Sequence, residues 1–295
     1  MKQPRAPDHR IVARLIKVRD LPTLPEVIEK ILKTVDDERS SASDLTTLLE
    51  CDSAISVRVL RLANSAFYGL RNRVSSIRHA VVVLGFDAVH HLALATSVFE
   101  TFAKRQQFAL DPDDFWMHSF GAAKAAQILC DGAQRDVSPE ECFTAALLHD
   151  IGKYLLALVL KEEYRAIVQE AQRAQRPLKD LEYEVFGMTH AAVGGWVTGK
   201  WQFPSGIVDA IGNIYRVPAY NGPHRTTTAI VASADIISRL AAFGYAGDRA
   251  ADVMPPYLLK ILRLTEDNIA EITSELERLR EETRQFLDLL TDDQR

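Results

Sequence analysis

The chain has 295 residues, 47% of them hydrophobic, enough for one large domain or two lobes with a substantial core. Its 35 basic residues are set against 40 acidic ones, a formal net charge of −5, so no bulk attraction to nucleic acid or to an anionic membrane is expected. Cys51, Cys130 and Cys142 are an odd set without C-x-x-C spacing, which argues against a disulfide frame or zinc knuckle and for reduced thiols, small core residues of a cytoplasmic protein.

In chain order, Met1 to Arg10 lacks the apolar stretch of a secretory signal and is expected to be a solvated basic arm. From Ile11 onward the periodicity is helical, with few strand signals. Pro25 stands near a first-turn position, and Val27, Ile28, Ile31 and Leu32 form the apolar face of the helix that follows. Ser43 is expected to cap a helix from Asp44 to Glu50. After Asp52 a further helix carries Val57, Val59, Leu60, Leu62 and Ala63. The passage from Ala80 to Phe99 is apolar but broken by Gly85, Asp87, His90 and His91, which predicts a buried helix pair rather than a membrane span.

A polar interval, Ala109 to Asp114, marks a lobe boundary. Phe115 to Ser119 opens a helix rich in small residues from Gly121 to Cys130. Ser138-Pro139-Glu140-Glu141 combines a cap, a proline and first-turn acids, a strong helix start. That helix runs into Leu147-Leu148-His149-Asp150-Ile151-Gly152-Lys153. From Thr265, Ile269, Ile272, Leu276, Leu279, Phe286 and Leu290 recur at three- and four-residue steps, Thr283 filling one slot. Such a stripe either forms a homodimeric coil or packs along its own domain.

His149 and Asp150 offer neutral nitrogen and anionic oxygen side by side, a donor mixture suited to Fe, Mn, Ni or Zn. Lys153, one turn on, presents an ammonium on the same face as His149. The plainer reading is a buried His and a helix-end Asp, each satisfied by hydrogen bonds. Asp235, inside the apolar run Ala229 to Ile237, needs a partner because burying a lone carboxylate is costly. A metal, a His or another core donor would serve.

Leu21-Pro22-Thr23-Leu24-Pro25, Asn64-Ser65, Val74-Ser75-Ser76-Ile77 and Leu84-Gly85 stand in the order and spacing of HDOD proteins, a bacterial signalling family related to the HD phosphohydrolases, and the chain resembles that family from about Leu21 to Leu240. The resemblance implies an all-α, two-lobed helical bundle: an arm and helix start at 1–18, an HDOD-like domain at 19–240 (N-lobe 19–108, HD-like lobe 109–240) and a helical extension at 241–295 ending in an amphipathic helix. His118, His149, Asp150 and Asp235 match the H...HD...D signature, which implies a divalent transition-metal site, and His190 resembles the further histidine that binds a second ion in HD-GYP phosphodiesterases. If the site is active, Asp150 and Lys153 are its catalytic residues, with Lys153 on a phosphate. One departure stands out: where those enzymes carry a His-His pair, this chain has Ile214-Tyr215.

Non-catalytic signalling through partner proteins or a nucleotide is therefore one expectation, and metal-dependent hydrolysis of a nucleotide or cyclic dinucleotide the other. A groove near Asn64, Ser65, Tyr68 and Trp116 is a candidate partner surface, with core packing the alternative. A third reading, DNA binding by two helices with Arg58 and Arg61 outward, has no support from the net charge. No membrane partner is expected.

Overall fold

The computed structural model describes residues 26–36, 41–65, 68–103, 110–133, 137–248 and 253–291. The expected arm at 1–18 and the Leu21 to Pro25 start lie outside these residues, as do the side chains of Val27, Ile28 and Leu290. Among the described residues there is no strand, and the fold is all-α.

Five helices build the first lobe: α1 (Glu26–Asp36), α2 (Ala42–Glu50), α3 (Ser53–Ala63), α4 (Ile77–Leu84) and α5 (Phe86–Ala103). α2 begins earlier than expected. Ser41, not Ser43, is its cap, because Asp44 three residues on completes a reciprocal capping box with it. On α3 the side chain of Asp52 accepts from the Ala54 and Ile55 amides. The buried stripe there is Ile55, Val59 and Leu62, spaced i, i+4, i+7. Val57 lies two residues out of that phase and is 46% exposed. The apolar passage from Ala80 is indeed two helices, α4 and α5, hinged at Gly85, whose φ of 93° suits glycine.

The second lobe is α6 (Pro112–Ala133), α7 (Pro139–Leu148), α8 (Ile151–Val159), α9 (Lys161–Ala174), α10 (Leu178–Phe186), α11 (His190–Lys200), α12 (Ser205–Asn213) and α13 (Arg225–Leu240). α6 is its axis, with α7 and α13 packed along it. Ala122, Ala123, Ala125 and Ala126 are fully buried there, and a Cβ on Gly121 would sit 2.6 Å from the Phe243 ring and 2.7 Å from Ser238 Oγ. Small residues thus set how closely α13 approaches. The apolar run Pro139–Val159 is two helices, α7 and α8, and most of it is buried within the protein.

Three helices follow: α14 (Pro256–Leu262), α15 (Glu266–Arg278) and α16 (Arg280–Thr291). The expected single terminal helix is broken at Leu279. There the Arg280 guanidinium turns back to donate to the carbonyls of Ala241 (2.6 Å) and Ala242 (3.1 Å) and lies over the Phe243 ring. Ile269, Leu276, Thr283 and Phe286 are buried in their own chain, Phe286 stacking edge-on with Phe120 of α6. Of the cysteines, Cys130 and Cys142 are buried as expected, whereas Cys51 is exposed at the C-cap of α2.

Candidate metal centre

His118 comes from the middle of α6 and Asp235 from α13. His149 and Asp150 come from the break between α7 and α8: His149 is the C-cap of one helix, and Asp150, with φ −97° and ψ 4°, precedes the other. This break is what a reading of 144–153 as one helix misses. Consecutive residues of an unbroken helix point about 100° apart, and the turn brings both side chains onto one point.

Four atoms form a ring. His118 Nε2 lies 3.3 Å from Asp235 Oδ1 and 3.7 Å from Asp150 Oδ2; His149 Nε2 lies 3.6 Å and 3.4 Å from the same two oxygens. One ligand atom from each of His118, His149 and Asp150 lies within 4.8 Å of the other two, close enough to share one transition-metal ion, and Asp235 Oδ1 borders both imidazoles. The outer hydrogen bonds agree. His149 Nδ1 donates to the Ala146 carbonyl at 2.6 Å, which leaves Nε2 facing the centre with no hydrogen-bond partner. Ser238 Oγ donates to the His118 carbonyl (3.0 Å) and lies 3.3 Å from His118 Nδ1, placed to accept from it, so His118 Nε2 is the nitrogen turned toward the centre, 3.3 Å from Asp235 Oδ1. His118, His149 and Asp150 therefore fit one ion, with the Asp235 carboxylate beside both imidazoles.

Both ring oxygens already carry a cationic donor. Lys153 Nζ donates to Asp150 Oδ2 (2.7 Å) and to the Ala246 carbonyl (2.8 Å). Arg239, which the sequence reading passed over although it stands four residues after Asp235, forks that carboxylate through Nε to Oδ1 (3.1 Å) and Nη2 to Oδ2 (2.7 Å). Burial pushes both carboxyl groups toward neutrality. The cations outweigh it, His149 and Lys153 for Asp150 and Arg239 first for Asp235, and hold both well below the usual carboxylate range. His149 is likewise opposed by burial, yet Asp150 and Asp235 push it up to about 10, a proton standing where an ion would stand. For His118 burial prevails and lowers its pKa.

His190 is the first residue of α11, 3.2 Å from Asp150 Oδ1. Its other neighbours are protein groups: Glu182 Oε2 accepts from both Nδ1 (2.7 Å) and the backbone amide (2.8 Å), and the Tyr215 hydroxyl lies 2.9 Å from Nε2. Glu182 is fully buried and also accepts from the Tyr164 hydroxyl at 2.8 Å. Sequence alone could not separate it from Glu184, which differs only in its helix phase and pairs with Arg176. Lys179 sits 4.5 Å over the Tyr215 ring. Tyr215 thus stands beside His190, closing the position at which the sequence departs from a His-His pair.

Access is narrow. His118, His149, Asp150, Lys153, His190 and Asp235 are all buried, none more than 4% exposed. The segment 241–248 crosses the site, tied down by Ala246 to Lys153 and by the Tyr245 amide to the Asp114 carbonyl (3.0 Å). The proposed inter-lobe groove takes a different form: Trp116 is buried between Phe99, Phe115 and Tyr154, and the Asn64 amide staples α3 to Val74 through both its carbonyl and its N–H. Ser65 is buried as well, and Tyr68 is half-buried. Arg58 is half-buried and Arg61 exposed.

Comparison with known proteins agrees with this architecture. A solved HDOD domain protein of unknown function from Geobacter sulfurreducens superposes with a TM-score of 0.79 at 25% identity, covering 95% of this chain and 99% of its own. A protein of Shewanella amazonensis SB2B, provisionally named a phosphohydrolase, gives 0.74 at 26% identity, covering 94% and 98%. Among curated proteins, an uncharacterised one from Treponema pallidum (strain Nichols) is 20% identical over 261 residues, 88% of this chain and 49% of that protein, so the chain spans about half the length of the curated relative it matches. Residues 21–217, well over half the sequence, match the HDOD domain, and the chain belongs to the HDOD family.

Proposed function

We propose that this chain is a regulatory HDOD protein that binds one divalent transition ion, Fe, Mn, Ni or Zn, at His118, His149, Asp150 and Asp235, and that it signals through a partner protein or a nucleotide rather than by turnover. The observation that carries this reading is the state of His190: Glu182 holds Nδ1 and the Tyr215 hydroxyl meets Nε2, so protein groups already satisfy the histidine that would serve a second ion. Burial of the whole constellation supports it, since none of its residues is more than 4% exposed. A bound ion would act as a Lewis acid toward a phosphoryl oxygen; here it ties α6, the α7–α8 turn and α13 together. The unpaired thiols and the absence of net positive charge suit a cytoplasmic protein without nucleic-acid or membrane partners.

Metal analysis of the purified protein, paired with phosphodiesterase assays on a cyclic dinucleotide in the presence of Mn and Fe, tests the reading. One ion per chain and no hydrolysis is the expected result. Hydrolysis lost in Asp150→Asn would overturn the regulatory assignment. That outcome would establish the second reading, a metal-dependent phosphohydrolase, which the four-donor ring itself favours.

A further inference from the structure

Asp235 supplies one of the ring's two oxygens, and that oxygen, Oδ1, is the one that accepts from Arg239 Nε. An ion at the ring and the guanidinium therefore draw on the same atom. Their charges also repel across a buried site, where screening by water is weak. Lys153 imposes a similar competition on Asp150 Oδ2, but it is held in place: its ammonium is 4% exposed and bonded to the Ala246 carbonyl as well. Arg239 lies near the outer end of α13, its side chain 13% exposed against 4% for Lys153, and Asp248 favours its charge. Of the two counter-cations it is the nearer to solvent.

We propose that Arg239 is the affinity-setting residue of this centre, an internal competitor that neutralises Asp235 in the metal-free protein and must give up Asp235 Oδ1, wholly or in part, for an ion to bind. With Asp150 paired to Lys153 and Asp235 to Arg239, the two carboxylates are charge-balanced before an ion arrives. Metal uptake is then weak and reversible, as suits a sensor of ion supply, rather than permanent as in a structural zinc site. The proposal rests on the reading of this ring as a metal site.

The test is Mn2+ and Zn2+ titration of the full chain after chelator treatment, read by calorimetry and by metal content after dialysis, for wild type, Arg239→Gln and Arg239→Lys. Arg239→Gln is expected to bind at least tenfold more tightly at the same one-ion stoichiometry. Arg239→Lys keeps the charge but loses the fork, and is expected to stay within about threefold of wild type. Should Arg239→Gln fail to fold alone because Asp235 loses its counter-charge, refolding on addition of Mn2+ supports the proposal. Failure to refold overturns it, as does an Arg239→Lys affinity well outside threefold of wild type. Uptake by wild type with no gain in Arg239→Gln overturns the proposal while leaving the metal site standing. No uptake by any of the three removes the metal site itself, and the proposal with it.

Discussion

The two halves of the centre share Asp150 yet are built in opposite ways. In the ring of His118, His149, Asp150 and Asp235, each imidazole has its Nδ1 side engaged by an outer group, and two nitrogens and two oxygens face a point where no protein donor satisfies His149 Nε2. Around His190 the protein completes its own bonding: Glu182 receives from Tyr164, from the His190 ring and from the His190 amide, and Tyr215 meets the remaining nitrogen. The first half needs a proton or an ion. The second has a protein partner on each ring nitrogen, Glu182 favouring the charged imidazole against its burial, and works as a buried network fastening α9, α10 and α11. Neighbouring histidines and acids can thus divide into a ligand site and a piece of core, depending on whether the surrounding residues complete their hydrogen bonds without a metal.

The comparison breaks most visibly at Glu182. Glu182→Ala strips one acceptor from three donors and leaves the buried His190 without its counter-charge, and should cost about 3–5 kcal/mol of stability. Urea denaturation with and without a chelator should give the same loss, because this half does not depend on an ion. A chelator-dependent loss would mean that His190 is a ligand after all. Gly152→Ala comes next. A Cβ there would lie 1.9 Å from the His190 carbonyl and 2.8 Å from the Gly194 amide, so α8 and α11 must separate, at about 3 kcal/mol. Asp150 and Lys153 at the start of α8 and His190 at the start of α11 move with those helices, and circular dichroism melting should fall together with metal uptake.

A pH-dependent effect is read at His149, in the ring. In metal-free protein the His149 pKa is raised to about 10 from 6.5 in the unfolded chain. Its contribution to stability is therefore fully present below about 6.5 and is lost as pH rises through about 10. Chelated protein should weaken over that window, and His149→Gln should flatten the decline. Saturating Mn2+ should also remove it, since an ion takes the place of the proton. The same alkaline decline in His149→Gln would assign it to another group.

How much of this was legible in the sequence follows the same division. His118, His149, Asp150 and Asp235 carry a spaced signature, and the structure brings all four within 3.3–3.7 Å of their ring neighbours. Ser138, with Pro139 after it, announced the helix that delivers two of them, because caps act over three residues and need no tertiary context. The closing groups carried no such mark. Glu182 is one acid among several on an amphipathic helix, and only packing against Tyr164 sets it apart. The absence of a second imidazole at Ile214-Tyr215 could be read, but not that the tyrosine hydroxyl would reach His190. Arg239 was within reach: an acid inside an apolar helix with an arginine one turn later is an i,i+4 pair, and the pairing explains how Asp235 is tolerated. On α3 the apolar residues fall on several faces, so the sequence did not declare that Val59 and Leu62 would be covered and Val57 exposed.

The mildest test falls on Tyr215. Tyr215→Phe deletes the hydroxyl 2.9 Å from His190 Nε2 while keeping the ring over which Lys179 sits, and should cost about 1 kcal/mol. Its value lies in the metal count. If the hydroxyl alone kept a second ion out, its removal would let one in beside His190 and Asp150 Oδ1. Two donors, one of them on an imidazole whose other nitrogen is held by Glu182, are too few for a stable transition-metal site, which takes three or four protein ligands. The variant should therefore still bind one ion per chain, with wild-type affinity at the ring. A second equivalent in Tyr215→Phe would show that the closed half retains metal-binding capacity and that one hydroxyl is what suppresses it.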